Sequence, residues 1–279
     1  MTDDIAAVRR AYADTVTALA GTADPSLRAA FATIDRGRFC GPPPWWIRQG
    51  GGYAEVPAAD EALIYRDVLL GLAPDRGINN GQPSLHARML DAVAPMPGER
   101  VAQIGAGTGY YTAILAELVG AAGRVEAWEL APDLAARAAG NLADRSNVVV
   151  HAGSGARDVA LPPSDIVYVS AGATGPMPAW LDALRPGGRL IFPMTPWRGM
   201  GAMLLVTRVA AEPYAARFVC AAGFIPCVGA RDTATARRLS AAFDGGGMEE
   251  VRSLRRDDRP DATCWASGDG WWLSTAPLD

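Results

Sequence analysis

The sequence predicts an α/β fold built on a mostly parallel sheet with helices on both faces. Short apolar runs suited to buried strands alternate with helix-like stretches between residues 100 and 194. One run, Val101-Ala102-Gln103-Ile104, passes directly into Gly105-Ala106-Gly107-Thr108-Gly109, and a helical pattern follows from Tyr110 to Leu118. With 279 residues, 49% of them hydrophobic and 20% charged, the chain is long enough to bury a large core.

The elements follow in order. Ile5, Val8, Tyr12, Val16 and Leu19 mark a covering helix over residues 4–19. Asp24-Pro25-Ser26 opens a second helix carrying Leu27, Ala30, Phe31 and Ile34. Gly41-Pro42-Pro43-Pro44 excludes a helix, so Trp45 and Trp46 are expected in a loop that covers the core or walls a substrate. Residues 50–81 form a long approach segment, and a helix over Ser84–Val93 begins after Pro83. Beyond the first strand, strands are expected at 124–128, 147–151, 165–170, 189–194 and 202–209. Helices fall at 133–142 and 178–184, and Arg185-Pro186-Gly187-Gly188 reads as a sharp turn. Past residue 210 the pattern weakens. A returning antiparallel strand near 218–220, a helix over 233–243, a short strand at 251–254 and a packed tail with Trp265, Trp271 and Trp272 are expected. The regions predicted are 1–94 as helical and substrate cover, 95–220 as core and 221–279 as extension.

Composition narrows the function. A net charge of −4, a pI near 5.3 and a mean hydropathy of +0.06 give no bulk reason to bind nucleic acid or an acidic membrane. Met-Thr-Asp-Asp-Ile lacks the order of a signal peptide and no apolar run is bilayer-length, so a cytoplasmic protein is expected. Four widely spaced Cys and two His offer no metal-ligand spacing, so no metal is expected.

The Gly105-x-Gly107-x-Gly109 spacing differs from a dinucleotide fingerprint, and no phosphate-binding Gly-x-x-x-x-Gly-Lys motif occurs. Glu129 closes the second strand, 24 residues beyond Gly105, where a carboxylate can accept both hydroxyls of a ribose. Together with Pro186-Gly187-Gly188 before the fifth strand, these features favour a nucleoside cofactor over a nicotinamide dinucleotide.

Over residues 28–208 the chain resembles the class I S-adenosylmethionine-dependent methyltransferases, and within them the protein-L-isoaspartate (D-aspartate) O-methyltransferases. The resemblance rests on Val101–Tyr110, Thr112–Gly120, Gly123-Arg124-Val125 leading to Glu129, and Ser164–Val167. Leu184–Ile191 with Pro193, Arg36-x-x-Phe39 and Tyr65-x-Asp67 complete it. It implies a Rossmann-like seven-stranded sheet. It also implies S-adenosyl-L-methionine as cofactor, held by Gln82, Gln103, Gly105, Gly107, Gly109, Tyr110, Glu129, Leu130 and Ser154, with S-adenosyl-L-homocysteine as product. Acceptor contacts are expected from Trp45, Tyr65, Asn79, Asn80, Gly81 and His86. Three segments depart from the family pattern: Gly81 and Asn79 replace a serine and a threonine, Gln103 replaces an acid, and Gly153-Ser154-Gly155 replaces Gly-Asp-Gly.

Methyl transfer from a sulfonium depends mainly on orientation and electrostatics. A carboxylate acceptor is ionised near neutral pH and needs no general base, so no catalytic side chain is assigned. The leading expectation is O-methylation of a carboxylate, in an isoaspartyl-like peptide or a smaller acid. An N- or O-methyltransferase of another acceptor class and a non-catalytic interaction protein are the alternatives.

Overall fold

The structure is a computed structural model describing residues 2–56, 61–209 and 213–278. The approach segment 50–81 is thus described except for residues 57–60. By its contacts the chain resolves into two units, residues 1–99 with 106–153 and residues 100–105 with 154–279. The expected region 1–94 lies wholly in the first unit and 221–279 wholly in the second, while 95–220 is divided between them.

The first unit opens with α1 (Thr2–Ala20), α2 (Pro25–Thr33) and α3 (Arg36–Cys40). Asp24 starts α2 by accepting the N–H of Ser26 at 2.8 Å and that of Leu27, and Pro25 fills the first turn, where an N–H would lack a partner. Arg36 is fully buried. Its guanidinium donates to the carbonyls of Ile64 (2.6 Å), Arg66 (2.7 Å) and Val68 (2.9 Å) and lies 5.5 Å from the Tyr12 ring centre. One side chain therefore fixes the whole of 64–68, which has no ladder of its own.

β1 (Trp45–Gln49) and β2 (Gly52–Val56) form an antiparallel hairpin. Trp45 and Trp46 are strand residues rather than a loop: Trp45 and Ile47 are buried, while Trp46 is half-buried and Arg48 exposed, the alternation that a half-buried strand requires. A smaller ladder joins β3 (Gly71–Ala73) to β4 (Ile78–Asn79), and α4 (Pro83–Val93) follows.

The strand β5 (Arg100–Ile104) belongs to the second unit. The chain then returns to the first through α5 (Tyr110–Val119), β6 (Arg124–Glu129), α6 (Pro132–Asn141) and β7 (Val148–Ala152). β6 and β7 run parallel, from Val125 opposite Val148 to Glu129 opposite Ala152.

The second unit continues with β8 (Ser164–Val169), α7 (Pro178–Asp182), β9 (Leu184–Met194), β10 (Gly201–Thr207) and β11 (Tyr214–Ala222). It ends with α8 (Thr233–Gly245), β12 (Ser253–Arg255), β13 (Cys264–Gly268) and β14 (Trp271–Ser274). Its strand order is β13-β14-β12-β11-β10-β9-β8-β5. Among the described residues of this unit, β5–β8 and β8–β9 pair in parallel and the other neighbouring strands antiparallel.

The expected mostly parallel sheet of seven strands is therefore corrected to a larger mixed sheet. The difference arises because the extension after α8 adds its strands beyond the β10–β11 hairpin. The expected turn at 185–188 is also corrected. It lies inside β9 as a bulge, with Ser164 opposite Leu184 but Ile166 opposite Arg189. Trp271 and Trp272 are buried, so the tail is packed as its tryptophans predict. Among the described residues no helix is long and apolar enough to cross a membrane.

Candidate cofactor and acceptor site

Of the residues expected to hold the cofactor, Gly107, Gly109, Tyr110, Glu129 and Leu130 lie in the first unit, around the end of β6. Glu129 is 8% exposed, and its two carboxylate oxygens accept the N–H of Gly107 at 2.7 Å and of Ala131 at 2.9 Å. A carboxylate has about four acceptor positions, so two remain for vicinal hydroxyls. Gly109 ends the turn with φ 97°, and a Cβ there would lie 2.7 Å from Leu142 Cδ1, so glycine is required on both counts. Thr108 Oγ donates to the Phe39 carbonyl (2.7 Å), and Asn141 donates to the Thr108 carbonyl (2.9 Å), which fixes the turn from both sides. Tyr110 turns its side chain into the cover, with its hydroxyl 3.2 Å from that of Tyr12 and its ring 5.7 Å from Phe39. Only its backbone is left at the turn. Leu130, just past Glu129, is exposed.

In the second unit Gln103 is fully buried, and among the described residues neither polar atom of its amide has a hydrogen-bond partner. Ser170, one residue past β8, has a buried hydroxyl in the same condition and adjoins Gly105: a Cβ on Gly105 would be 3.6 Å from the Ser170 Cβ. Gln103 stands opposite Tyr168 in the parallel ladder, so side-chain alternation sends Gln103 and Ser170 toward one face. A buried polar group without a partner costs about 1–3 kcal/mol, which a ligand with complementary donors and acceptors offsets. Ser154 Oγ accepts the N–H of Ala156 (3.2 Å) and Arg157 (3.0 Å), leaving its proton to donate.

The residues expected on the acceptor side lie in the first unit. Asn79 accepts the Gly81 N–H at 2.9 Å and donates to the Tyr53 hydroxyl at 3.0 Å; Asn80 accepts the Leu70 N–H at 3.0 Å. Gly81 has φ 74°, and a Cβ there would lie 2.2 Å from His86 Nε2. The His86 ring stacks on Tyr111 with centres 3.6 Å apart and planes 6° from parallel, and the Tyr111 hydroxyl donates to the Gly81 carbonyl at 3.2 Å. The imidazole thus occupies the space that any side chain at position 81 would need.

Gln82 donates to Asp67 at 2.8 Å. Asp67 also accepts the N–H and hydroxyl of Ser84 at 2.8 and 2.7 Å, so a residue 16 positions before the helix start supplies the cap that Gln82 does not. The structure brings Asn79, Asn80, Gly81, Gln82 and His86 together. Tyr65 and Trp45 lie in the cover with their polar atoms engaged: Tyr65 donates to Asp35 (2.7 Å), and Trp45 donates to the Gly41 carbonyl (3.0 Å). Tyr111 and the capping role of Asp67 were missed from the sequence. Tyr111 directly follows Tyr110 in the first motif, and that aromatic pair was the available signal.

Burial, reinforced by the Arg36 charge, lowers the His86 pKa to about 3. In the unfolded chain it titrates near 6.5, so between that value and about 3 the unfolded state binds the extra proton. Stability is therefore full above pH 6.5 and falls as pH drops through this window, by up to about 1.4 kcal/mol per pH unit from this group. Denaturant melts across that range are expected to show a shallower acid slope for His86→Leu than for the parent chain. Equal slopes would contradict the assignment.

The chain is also similar to known proteins. The profile of the protein-L-isoaspartate (D-aspartate) O-methyltransferase family matches residues 55–232. A protein-L-isoaspartate O-methyltransferase of Aeropyrum pernix is 38% identical over 145 residues, 50% of this chain and 54% of that protein. One from Methanopyrus kandleri is 35% identical over 177 residues, 61% of this chain and 75% of that protein. The match thus spans about half of the first relative's length and three quarters of the second's.

Among solved structures, a protein-L-isoaspartate O-methyltransferase aligns over 98% of this chain and 87% of its own, at TM-score 0.63 and 20% identity. A Plasmodium falciparum protein described as a methyltransferase of this kind, in complex with S-adenosyl-L-homocysteine, aligns over 79% of this chain and 98% of its own. Its TM-score is 0.64 and its identity 16%. These structural likenesses support the fold. With the family match covering more than half its residues, the chain belongs to the protein-L-isoaspartate (D-aspartate) O-methyltransferase family.

Proposed function

We propose that this chain is an S-adenosylmethionine-dependent methyltransferase acting on a carboxylate, isoaspartyl in a polypeptide or a related acid. The observation that carries the reading is Glu129, a nearly buried carboxylate fixed by two backbone N–H groups beside the glycine turn, with acceptor positions left for a ribose. The buried, unpartnered amide of Gln103 and hydroxyl of Ser170 are further groups that a polar cofactor would satisfy. When bound, S-adenosylmethionine supplies a methyl group already activated on a sulfonium.

The chain's own residues bind and orient. Glu129 takes the ribose hydroxyls, the turn at Gly105, Gly107 and Gly109 allows close backbone approach, and Gln103 and Ser154 offer neutral hydrogen bonds. Asn79, Asn80 and Gly81 present the acceptor side, on a turn held rigid by Tyr53, Tyr111 and the Asp67 cap. A carboxylate acceptor needs no proton removed. An alcohol or amine acceptor would call for a base, and His86 is 1% exposed and stacked, which favours the carboxylate reading.

The test is an acceptor screen with isotope-labelled S-adenosylmethionine, run beside calorimetry of cofactor binding. Isoaspartyl peptides, small carboxylic acids and amines are compared. A base-labile methyl ester on a carboxylate is expected. Cofactor binding with label transferred only to amines would sink the carboxylate reading, and no binding would sink the enzyme reading altogether.

A further inference from the structure

The family match ends at residue 232, yet the chain continues into α8 and a three-stranded addition to the sheet. Within the second unit, α8 and the loop leaving β9 border an open cleft of about 340 Å3 lined by Trp197, Arg198, Arg237, Ser240, Ala241 and Asp244. Four of these six residues come from α8, beyond the family match. Resting on the carboxylate methylation proposed above, we infer that this cleft docks a carboxylate-rich stretch of the acceptor polypeptide, away from the residue that is methylated.

The loop is held in place rather than loosely attached. Trp197 donates its N–H to the Ala236 carbonyl (2.9 Å), and Arg198 donates its own to Ser240 Oγ (3.2 Å). Arg231 donates to the carbonyls of Thr195 (3.2 Å), Pro196 (3.0 Å) and Gly172 (3.4 Å) and to the Thr195 hydroxyl. Trp197 nevertheless remains 58% exposed, and Met200 on the same loop 62%. A loop whose backbone is anchored while Trp197 and Met200 stay exposed offers an apolar contact surface beside the cleft.

Charge selects the partner. The Arg237 guanidinium lies 5.6 Å from the Trp197 ring centre. Among the described residues neither Arg237 nor Arg198 has an ion-pair partner, and Asp244 is the one acid in the lining. A cationic, tryptophan-lined cleft on a chain of net charge −4 is complementary to carboxylates flanked by apolar side chains.

Position fits an acceptor chain too. β5, β8 and β9 are parallel, so their carboxyl ends share one edge of the sheet. Gly105 and Ser170 lie at that edge, and the backbone of Ala173 bonds to both Pro193 and Thr195. The Trp197 loop leaves from the same edge.

The test uses the full chain and a dye-labelled, Glu-rich peptide containing one isoaspartyl residue, with a Gln-for-Glu peptide as its match. Fluorescence anisotropy reads binding, and label transfer reads KM. The Glu-rich peptide is expected to bind more tightly than its match. Trp197→Ala and Arg237→Glu are each expected to weaken that binding by about fivefold or more and to raise KM for the peptide, with cofactor affinity unchanged. Arg217→Glu, an exposed charge change on β11, is the control and is expected to leave binding unchanged. Should Trp197→Ala lower the melting temperature, Arg198→Glu replaces it as the second variant.

Binding and KM unmoved by the cleft variants, with methylation intact, would overturn the docking site and leave the proposed activity standing. Cleft-dependent peptide binding without any methyl ester would do the reverse. Tighter binding of a single-stranded oligonucleotide or of anionic vesicles than of the Glu-rich peptide would also overturn it.

Discussion

Replacing Gly81 by serine is expected to destabilise the folded chain by about 3 kcal/mol. Two costs add. The residue sits at φ 74°, where a side chain strains the backbone by roughly 1–2 kcal/mol, and its Cβ would be placed 2.2 Å from His86 Nε2. His86 cannot simply swing aside, because it is 1% exposed and stacked on Tyr111 at 3.6 Å, so relieving the overlap costs about 1–3 kcal/mol more. Adding His86→Ala to Gly81→Ser is expected to recover the steric part and leave the backbone part. A denaturant double-mutant cycle should then show a coupling of roughly 1–2 kcal/mol. Simple additivity would mean that the two residues do not compete for one space. The serine alone is not expected to bring strong isoaspartyl methylation, since its hydroxyl has no room while the imidazole stays.

Glu129→Ala is expected to lower S-adenosylmethionine affinity about a hundredfold by calorimetry, the loss of two charge-assisted hydrogen bonds totalling about 3 kcal/mol. The same change strips the Gly107 and Ala131 N–H groups of their acceptor, so a smaller loss of stability, about 1–2 kcal/mol, should accompany it. Glu129→Gln retains a single carbonyl acceptor and is expected to fall between the two. Unchanged affinity in the alanine variant would remove Glu129 from the cofactor site.

Local chemistry made much of the fold legible in advance. The apolar strand Val101–Ile104, the glycine turn and the helix after it are written in consecutive residues, and Glu129 closes a strand whose pattern is equally plain. The α2 start at Asp24-Pro25 is likewise spelled out locally. Other features depend on distant partners. Trp45 and Trp46 follow three prolines and read as loop, and only the pairing of Trp45 with Val56 and Trp46 with Glu55 makes them strand. The extension reads as scattered short pieces because its strands find their neighbours across tens of residues, as Leu254 does opposite Tyr214.

The site divides in the same way. The backbone demand at Gly109 can be suspected from a turn motif, but nothing in residues 79–86 announces that an imidazole will fill the space beside Gly81. That fact needs Tyr111, brought in on another helix, to hold the ring flat. Asp67 is similar: its carboxylate caps a helix that begins 16 residues later, too far for any local rule to connect them.

Arg36 and His86 respond differently to acid. The Arg36 guanidinium is held by three backbone carbonyls, acceptors that do not titrate, and burial keeps it out of reach of screening ions. His86 gains a proton in the unfolded chain across mildly acidic pH and weakens the α4 end accordingly. Acid unfolding is thereby given a direction. Backbone amides of the 79–86 turn should lose their protection from hydrogen exchange at a higher pH than those of 64–68, so that this turn opens while the cover around Arg36 is still closed.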